Sequence, residues 1–299
     1  MTIICPVCKN SINATNPPFC PHCGVKILSP SGKISALIQK ILLDRPGELL
    51  RKTKKREHLL PPPRLREHVG GDGAFEAIGN RFLNHFKTYG GLQPYDSVLD
   101  VGCGSGRMAI PLTTYLNNDA RYEGFDISRD CIAWCKEHIT SWYPNFHFQY
   151  VDVFNNFYNR EGTIRPEHFI FPYDSDSFDF INATSVFTHL LPKDTEHYFS
   201  EISRVLKKDG RCLISYFFIN PESREYISKK KSHLDFFKVG EGYYSMVKDV
   251  PEQVIAFDEE FIRELYAKYG LAIKEPVHYG SWCGRERTMD FQDMVIAIK

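Results

Sequence analysis

No apolar run in the 299 residues approaches the roughly 18 that a helix needs to cross a bilayer, so a helical membrane span is not expected. The opening residues, Met1-Thr2-Ile3-Ile4-Cys5-Pro6, lack the charged-then-apolar layout of a secretory leader, and the expected location is the cytoplasm. Net charge is missing too. The 37 Lys and Arg balance 37 Asp and Glu, which removes any whole-molecule bias toward nucleic acid. No repeat with a period of about 20 to 50 residues is visible, which argues against a solenoid or propeller. In a reducing compartment the nine cysteines are metal ligands or buried apolar residues rather than disulfides.

What is present suits one α/β domain of ordinary size with an appendage. At 42% hydrophobic and 25% charged, the chain has ample material for a core. Three zones follow one another. Residues 1–28 hold Cys5-Pro6-Val7-Cys8 and Cys20-Pro21-His22-Cys23-Gly24, two C-x2-C pairs separated by eleven residues. Two such knuckles can complete a tetrahedral thiolate site, so Cys5, Cys8, Cys20 and Cys23 are expected to hold zinc. This match resembles a zinc ribbon. Four protein ligands leave no open position, and the zinc would be structural.

Residues 29–72 form a basic linker with helical and proline-rich parts. It contains Arg51-Lys52-Thr53-Lys54-Lys55-Arg56 and ends near Leu60-Pro61-Pro62-Pro63, which is stiff and extended. The ribbon and this linker are candidates for docking a protein or RNA partner. Residues 73–299 alternate helical and strand patterns, the signature of a doubly wound sheet. Helices are predicted over 74–89, 130–142, 194–206 and 258–269. Strands are predicted over 97–101, 122–126, 146–152, 178–182 and 211–218, with two final antiparallel strands over 271–278 and 294–298. Lys207-Lys208-Asp209-Gly210 is expected to finish the helix before the fifth strand. Cys103, Cys131, Cys135, Cys212 and Cys283 fall on core positions.

The sharpest signal is Val98-Leu99-Asp100-Val101-Gly102-Cys103-Gly104-Ser105-Gly106-Arg107, an apolar strand ending in an Asp and a three-glycine turn. Such a turn lets the backbone approach a ligand closely. About 20 residues on, Gly124-Phe125-Asp126-Ile127 ends a second strand in an acid, where related folds meet ribose hydroxyls. A third strand ends at Asp152. A nicotinamide-dependent reductase would also use Asp126, but the loop is Gly-x-Gly-x-Gly and not the Gly-x-Gly-x-x-Gly that dinucleotides favour.

Together these residues resemble the cofactor site of the class I S-adenosylmethionine-dependent methyltransferases, over roughly 73–299. The resemblance implies an α/β, doubly wound, seven-stranded and mostly parallel sheet, with the small zinc ribbon in front of it. It implies that Gly102, Gly104 and Gly106 pass around the methionine part of S-adenosylmethionine and that Asp100 helps to hold that part. Arg107 would meet the cofactor carboxylate as a bidentate pair. Asp126 would accept both ribose hydroxyls, Ile127 would pack on adenine, and Asp152 would accept from the adenine amino group beside Val153.

Methyl transfer from a sulfonium is an in-line displacement that needs a positioned acceptor and, for a hydroxyl, removal of its proton. The acceptor should lie beyond the fourth strand, in 182–190. That stretch lacks the Asn-Pro-Pro-Tyr of the family's amide and exocyclic-amine enzymes. His189 is the candidate general base, because an imidazole titrates near working pH. Trp282, Arg285, Gln292 and Asp293 form either an acceptor wall or a buried Trp with an Arg–Asp pair. The polar-aromatic insertion 154–171 and the aromatics after the fifth strand should shape the acceptor pocket. The expected function is methyl transfer to a small-molecule or glycan acceptor, at a hydroxyl. The alternatives are an RNA methyltransferase that docks through the ribbon and linker, and a non-catalytic cofactor-binding module.

Overall fold

The structure is a computed structural model, which describes residues 2–4, 11–13, 59–67, 69 and 74–299. The chain divides into two units, Met1–His58 and Leu59–Lys299. In the first, strands β1 (Thr2–Ile4) and β2 (Ser11–Asn13) pair antiparallel, Thr2 opposite Asn13. The expected zinc ligands Cys5, Cys8, Cys20 and Cys23 lie outside the described residues, as does most of the basic linker. The second unit begins at Leu59 rather than at 73. Its first helix, α1 (Pro63–Glu67), buries Leu65 with Leu59 in the domain core, so these residues belong to the domain and not to a linker.

The sheet of the second unit has the order β12-β13-β7-β6-β3-β4-β5. Its members are β3 (Val98–Val101), β4 (Tyr122–Asp126), β5 (Phe146–Tyr150), β6 (Phe178–Ala183), β7 (Leu206–Tyr216), β12 (Ala272–Ile273) and β13 (Asp293–Ile298). Only β13 runs against its neighbours, antiparallel to both β7 and β12. Helices cover both faces. Helices α2 (Phe75–Thr88), α3 (Ala109–Leu112) and α4 (Arg129–Cys135) contribute Phe82, Phe86, Leu112, Cys131 and Ile132 to one core layer. Helices α5 (Pro192–Val205) and α7 (Glu259–Lys268) contribute Phe199, Ile202, Ile262 and Leu265 to the other. A strand covered on both sides reads as a near-continuous apolar run. Met294 and Ile296 of β13 face the first layer, while Val295 and Ala297 face the second.

Two boundaries differ from the sequence reading. The helix after β4 starts at Arg129, capped by Ser128 Oγ accepting from the Cys131 amide at 3.4 Å, and changes to a π-turn over Lys136–Thr140. Helix α5 ends at Val205, and the residues expected to finish it lie inside β7. There Asp209 turns at φ +61°, and its amide donates to the Lys299 carbonyl at 3.0 Å. Full burial of Leu206 anchors the start of the long strand.

A second sheet was not foreseen. Strands β8 (Phe218–Ile219), β9 (Phe237–Gly240), β10 (Tyr243–Ser245) and β11 (Ile255–Asp258) take the order β8-β11-β10-β9, with β11 parallel to β8. Helix α6 (Pro221–Ser228) follows β8. No helix among the described residues is long and apolar enough to cross a membrane.

Candidate cofactor and acceptor site

The order of the main sheet reverses direction at β3, whose neighbours are β4 and β6. Connections leave such a point toward opposite faces and open a crevice at the carboxyl ends of the strands. A cavity of about 680 Å³ lies there. It runs from Asp126 and Ile127 after β4, past the glycine turn after β3, to Thr184, Ser185 and His189 after β6.

The glycine turn is held open by its own geometry. Gly102, Gly104 and Gly106 have φ of +69°, +51° and +81°, a region that side-chain-bearing residues disfavour. A Cβ on Gly102 would meet Val186 Cγ2 at 2.5 Å, and one on Gly104 would meet Val69 Cγ1 at 2.3 Å. The turn is tied to β4 by the Gly102 and Cys103 amides, which donate to the Phe125 carbonyl at 2.9 and 3.0 Å.

Asp100 sits beneath this turn, almost wholly buried and lining the cavity. The Tyr122 hydroxyl donates to its Oδ2 at 2.6 Å and Asn182 Nδ2 to its Oδ1 at 2.8 Å. Burial nonetheless pushes its carboxyl up to about 7. Asp126 accepts from the Gly104 amide on Oδ2 and from the Ser128 amide on Oδ1, each at 2.8 Å. Its carboxylate is thereby fixed at the cavity wall next to Ile127. Val153 lines the same end.

Asp152 is placed differently. It is absent from the cavity wall, and it accepts from the Tyr150 hydroxyl at 2.6 Å and from the Thr163 hydroxyl at 2.7 Å. Those two bonds hold its carboxylate below the usual range. The strand-end acid at this position braces the insertion in this structure.

Arg107 does reach the cavity. Its Nη1 donates to the Val69 carbonyl at 2.5 Å, while its Nε is buried with no partner among the described residues. Burial lowers its basicity. Sequence reasoning missed two companions here, Arg81 and Asp290. Arg81 Nε meets Asp290 Oδ2 at 2.7 Å, and His85 Nε2 lies 3.3 Å from the same oxygen. Burial pushes Asp290 up, but His85 and Arg81 bring it below the ordinary carboxylate range. A signal for Arg81 was available, because Ile78, Arg81 and Phe82 follow i, i+3, i+4 spacing and all three line the cavity.

At the far end the His189 ring stands edge-on to Tyr158, with centroids 5.0 Å apart. Its Nδ1 lies 3.0 Å from the Glu252 carbonyl, which can only accept. The neutral ring therefore carries its proton on Nδ1 and presents Nε2 as a lone pair. Burial lowers the ring's basicity and keeps it neutral. Asn155 Nδ2 donates to the His189 carbonyl at 3.0 Å, so the insertion 154–171 does help to build this end.

Of the four residues considered for an acceptor wall, only Gln292 lines the cavity, accepting from Ser185 Oγ at 3.0 Å and Ser215 Oγ at 2.6 Å. Trp282, Arg285 and Asp293 form a buried brace instead. Asp293 accepts from Trp282 Nε1 at 2.8 Å, from the Phe218 and Gly280 amides at 2.7 Å each, and pairs with Arg285 at 3.2 Å.

A family model described as a methyltransferase domain matches residues 92–255, more than half of the chain. The chain belongs to this family. The methyltransferase domain is an enzyme module, and its sheet is the class I arrangement expected from the glycine turn. Phosphoethanolamine N-methyltransferase 3 of Arabidopsis thaliana is 26% identical over 235 residues, 77% of this chain and 43% of that protein. The 2-phytyl-1,4-naphtoquinone methyltransferase of Trichormus variabilis is 25% identical over 145 residues, 48% of this chain and 56% of that protein. The methyltransferase chain thus spans about half the length of the curated relatives it matches. A solved Pyrococcus horikoshii protein shares the fold, with a TM-score of 0.52, 16% identity, and coverage of 76% of this chain and 92% of that one.

Proposed function

We propose that this methyltransferase binds S-adenosylmethionine in the 680 Å³ cavity and methylates a hydroxyl of a small-molecule or glycan acceptor. Three features support the fit of that cofactor. Gly102 and Gly104 line the cavity with backbone that carries no side chain. The buried Nε of Arg107 lacks a partner among the described residues and suits a carboxylate. Asp126, with Ile127 and Val153 beside it, offers an acceptor for hydroxyl donors next to an apolar face for a purine. When bound, the cofactor supplies an electrophilic methyl group on a sulfonium.

The chain's own residues do the rest. Asp126 receives ribose hydroxyls, Arg107 the carboxylate, and Asp100 the cationic methionine end. His189, fixed by the Glu252 carbonyl, takes the acceptor proton on Nε2. The observation that carries this reading is the single cavity joining Asp126 and the glycine turn to the lone pair of His189. Two relatives named for small acceptors, phosphoethanolamine and a naphthoquinone, support a small molecule over RNA. One of them is named for transfer to nitrogen, so an amine is the alternative accepting atom. We also propose that Cys5, Cys8, Cys20 and Cys23 hold one structural zinc, supported by their spacing alone.

The test is calorimetric titration with S-adenosylhomocysteine and, in parallel, NADPH. Micromolar binding of the first alone, lost in Asp126→Ala, is expected. Binding of NADPH alone would move the protein to the reductases, and binding of neither would overturn the cofactor assignment.

A further inference from the structure

A second cavity of about 380 Å³ adjoins the first and shares Phe154, Asn155 and Pro166 with it. Its walls bring together acids from three separate segments: Glu167 in the single turn Pro166–His168, Asp194 in the first turn of α5, and Glu252 in the turn Pro251–Gln253. Asp194 and Glu252 each keep only 7% of their surface. The Glu252 carboxylate accepts no hydrogen bond among the described residues, and its Oε2 is wholly enclosed. A carboxylate removed from water ordinarily collects donors, because an unpaired buried charge is far more costly than a neutral group. The methyl-transfer reading leaves this side chain unused, since only the backbone carbonyl of Glu252 serves His189.

The surrounding charges do not neutralise the pair. Arg165 and Lys193 also line the cavity, but both are exposed at its rim, and the Arg165 guanidinium lies over the Phe154 ring at 4.6 Å. Burial, and after it a hydrogen bond to Glu167 and that residue's charge, pushes Asp194 up to about 7.

We propose that the second cavity binds the primary ammonium group of a small organic molecule, with Glu252 and Asp194 accepting its N–H bonds and Glu167 completing the acidic wall. A metal ion fits less well. It needs oxygens within about 2.0–2.6 Å, and no three His, Cys, Asp or Glu among the described residues converge on such a point. An ammonium reaches its acceptors at about 2.7–2.9 Å and brings three donors. A chamber of 380 Å³ also has room for the carbon skeleton attached to it. A quaternary ammonium would leave Glu252 without donors. This binding is independent of methyl transfer.

The test is calorimetric titration of the full chain with ethanolamine hydrochloride near pH 8, where Asp194 is ionised. Tetramethylammonium chloride and magnesium chloride are run in parallel. Saturable binding of ethanolammonium is expected, at least about tenfold weaker in Glu252→Gln. Glu252 lies under His189, so Glu167→Gln, in a different segment, repeats the measurement, and unchanged melting temperatures show that both variants are folded. Absence of ethanolammonium binding overturns the proposal. So does wild-type affinity in both variants, or tighter binding of tetramethylammonium or magnesium.

Discussion

Asp100 carries a pH dependence whose sign can be worked out. Its carboxyl titrates at about 7 in the fold against 3.8 when unperturbed, chiefly through burial. A raised acid stabilises the fold fully below the unfolded value, and that contribution is lost as pH rises through about 7. A cation docking against Asp100 needs the ionised form, so binding should strengthen over the same window. From pH 6 to pH 8 the affinity for S-adenosylhomocysteine should rise about tenfold in calorimetry and then level off. Asp100→Asn should flatten the profile, and a wild-type profile without slope would separate Asp100 from the ligand. His189 makes a different prediction. Its Nε2 lone pair is the proposed proton acceptor, so His189→Gln should slow single-turnover transfer by about 100-fold or more. Affinity for S-adenosylhomocysteine should stay within a factor of about three, and an unchanged rate would remove the base from the mechanism.

Among the elements, the glycine turn is the most exacting. Gly91 and Gly104 share a left-handed backbone, at φ +65° and +51°, but nothing lies within 4 Å of a Cβ on Gly91. Gly91→Ala should therefore cost only the backbone strain, about 1–2 kcal/mol in denaturant unfolding, with ligand binding kept. Gly104→Ala adds the clash with Val69 and should also abolish S-adenosylhomocysteine binding. Equal behaviour of the two variants would mean that the cradle is not required.

These elements also show what a sequence can reveal. The first five strands of the main sheet and the helices between them follow from local periodicity, because each buries whole faces. The glycine turn and Asp126 were legible for the same reason, as they sit at fixed distances along one βαβ unit. The small second sheet was not, since strands of two to four residues carry almost no periodicity and β8 finds its parallel partner only at β11. Likewise Lys207 to Gly210 read locally as a helix end, while pairing with the C-terminal segment draws them into β7. Arg81 and Asp290 meet across the cavity from opposite ends of the domain, a convergence that no spacing rule encodes. Asp152 matched its position in order but was captured by Tyr150 and Thr163.

Across the whole molecule, Asp293 is the point where the two sheets are fastened. One carboxylate joins β13, the entry to β8 through the Phe218 amide, and the loop bearing Gly280, Trp282 and Arg285. Burial pushes it up to about 6, yet Arg285 remains its ion partner. Asp293→Ala leaves the Trp282 indole N–H and the Phe218 and Gly280 amides without their acceptor, while Arg285 keeps Glu222 as its ion partner. The loss should be about 3–5 kcal/mol, seen as a melting temperature lower by about 10 °C. A shift of a degree or two would show that the brace is dispensable.

The reversed strand β13 has a consequence for how the molecule is made. It fills the gap between β7 and β12, although it is synthesised after both. A nascent chain that has emerged only through β12 therefore exposes two unpaired strand edges in place of a closed sheet. Asp290 and Gln292, which line the cavity, also reach it only with the segment that carries β13. The ligand chamber thus cannot mature on a partial chain. Translation pauses upstream of residue 293 would prolong a sticky, ligand-blind intermediate, and β13 acts as the latch that ends it.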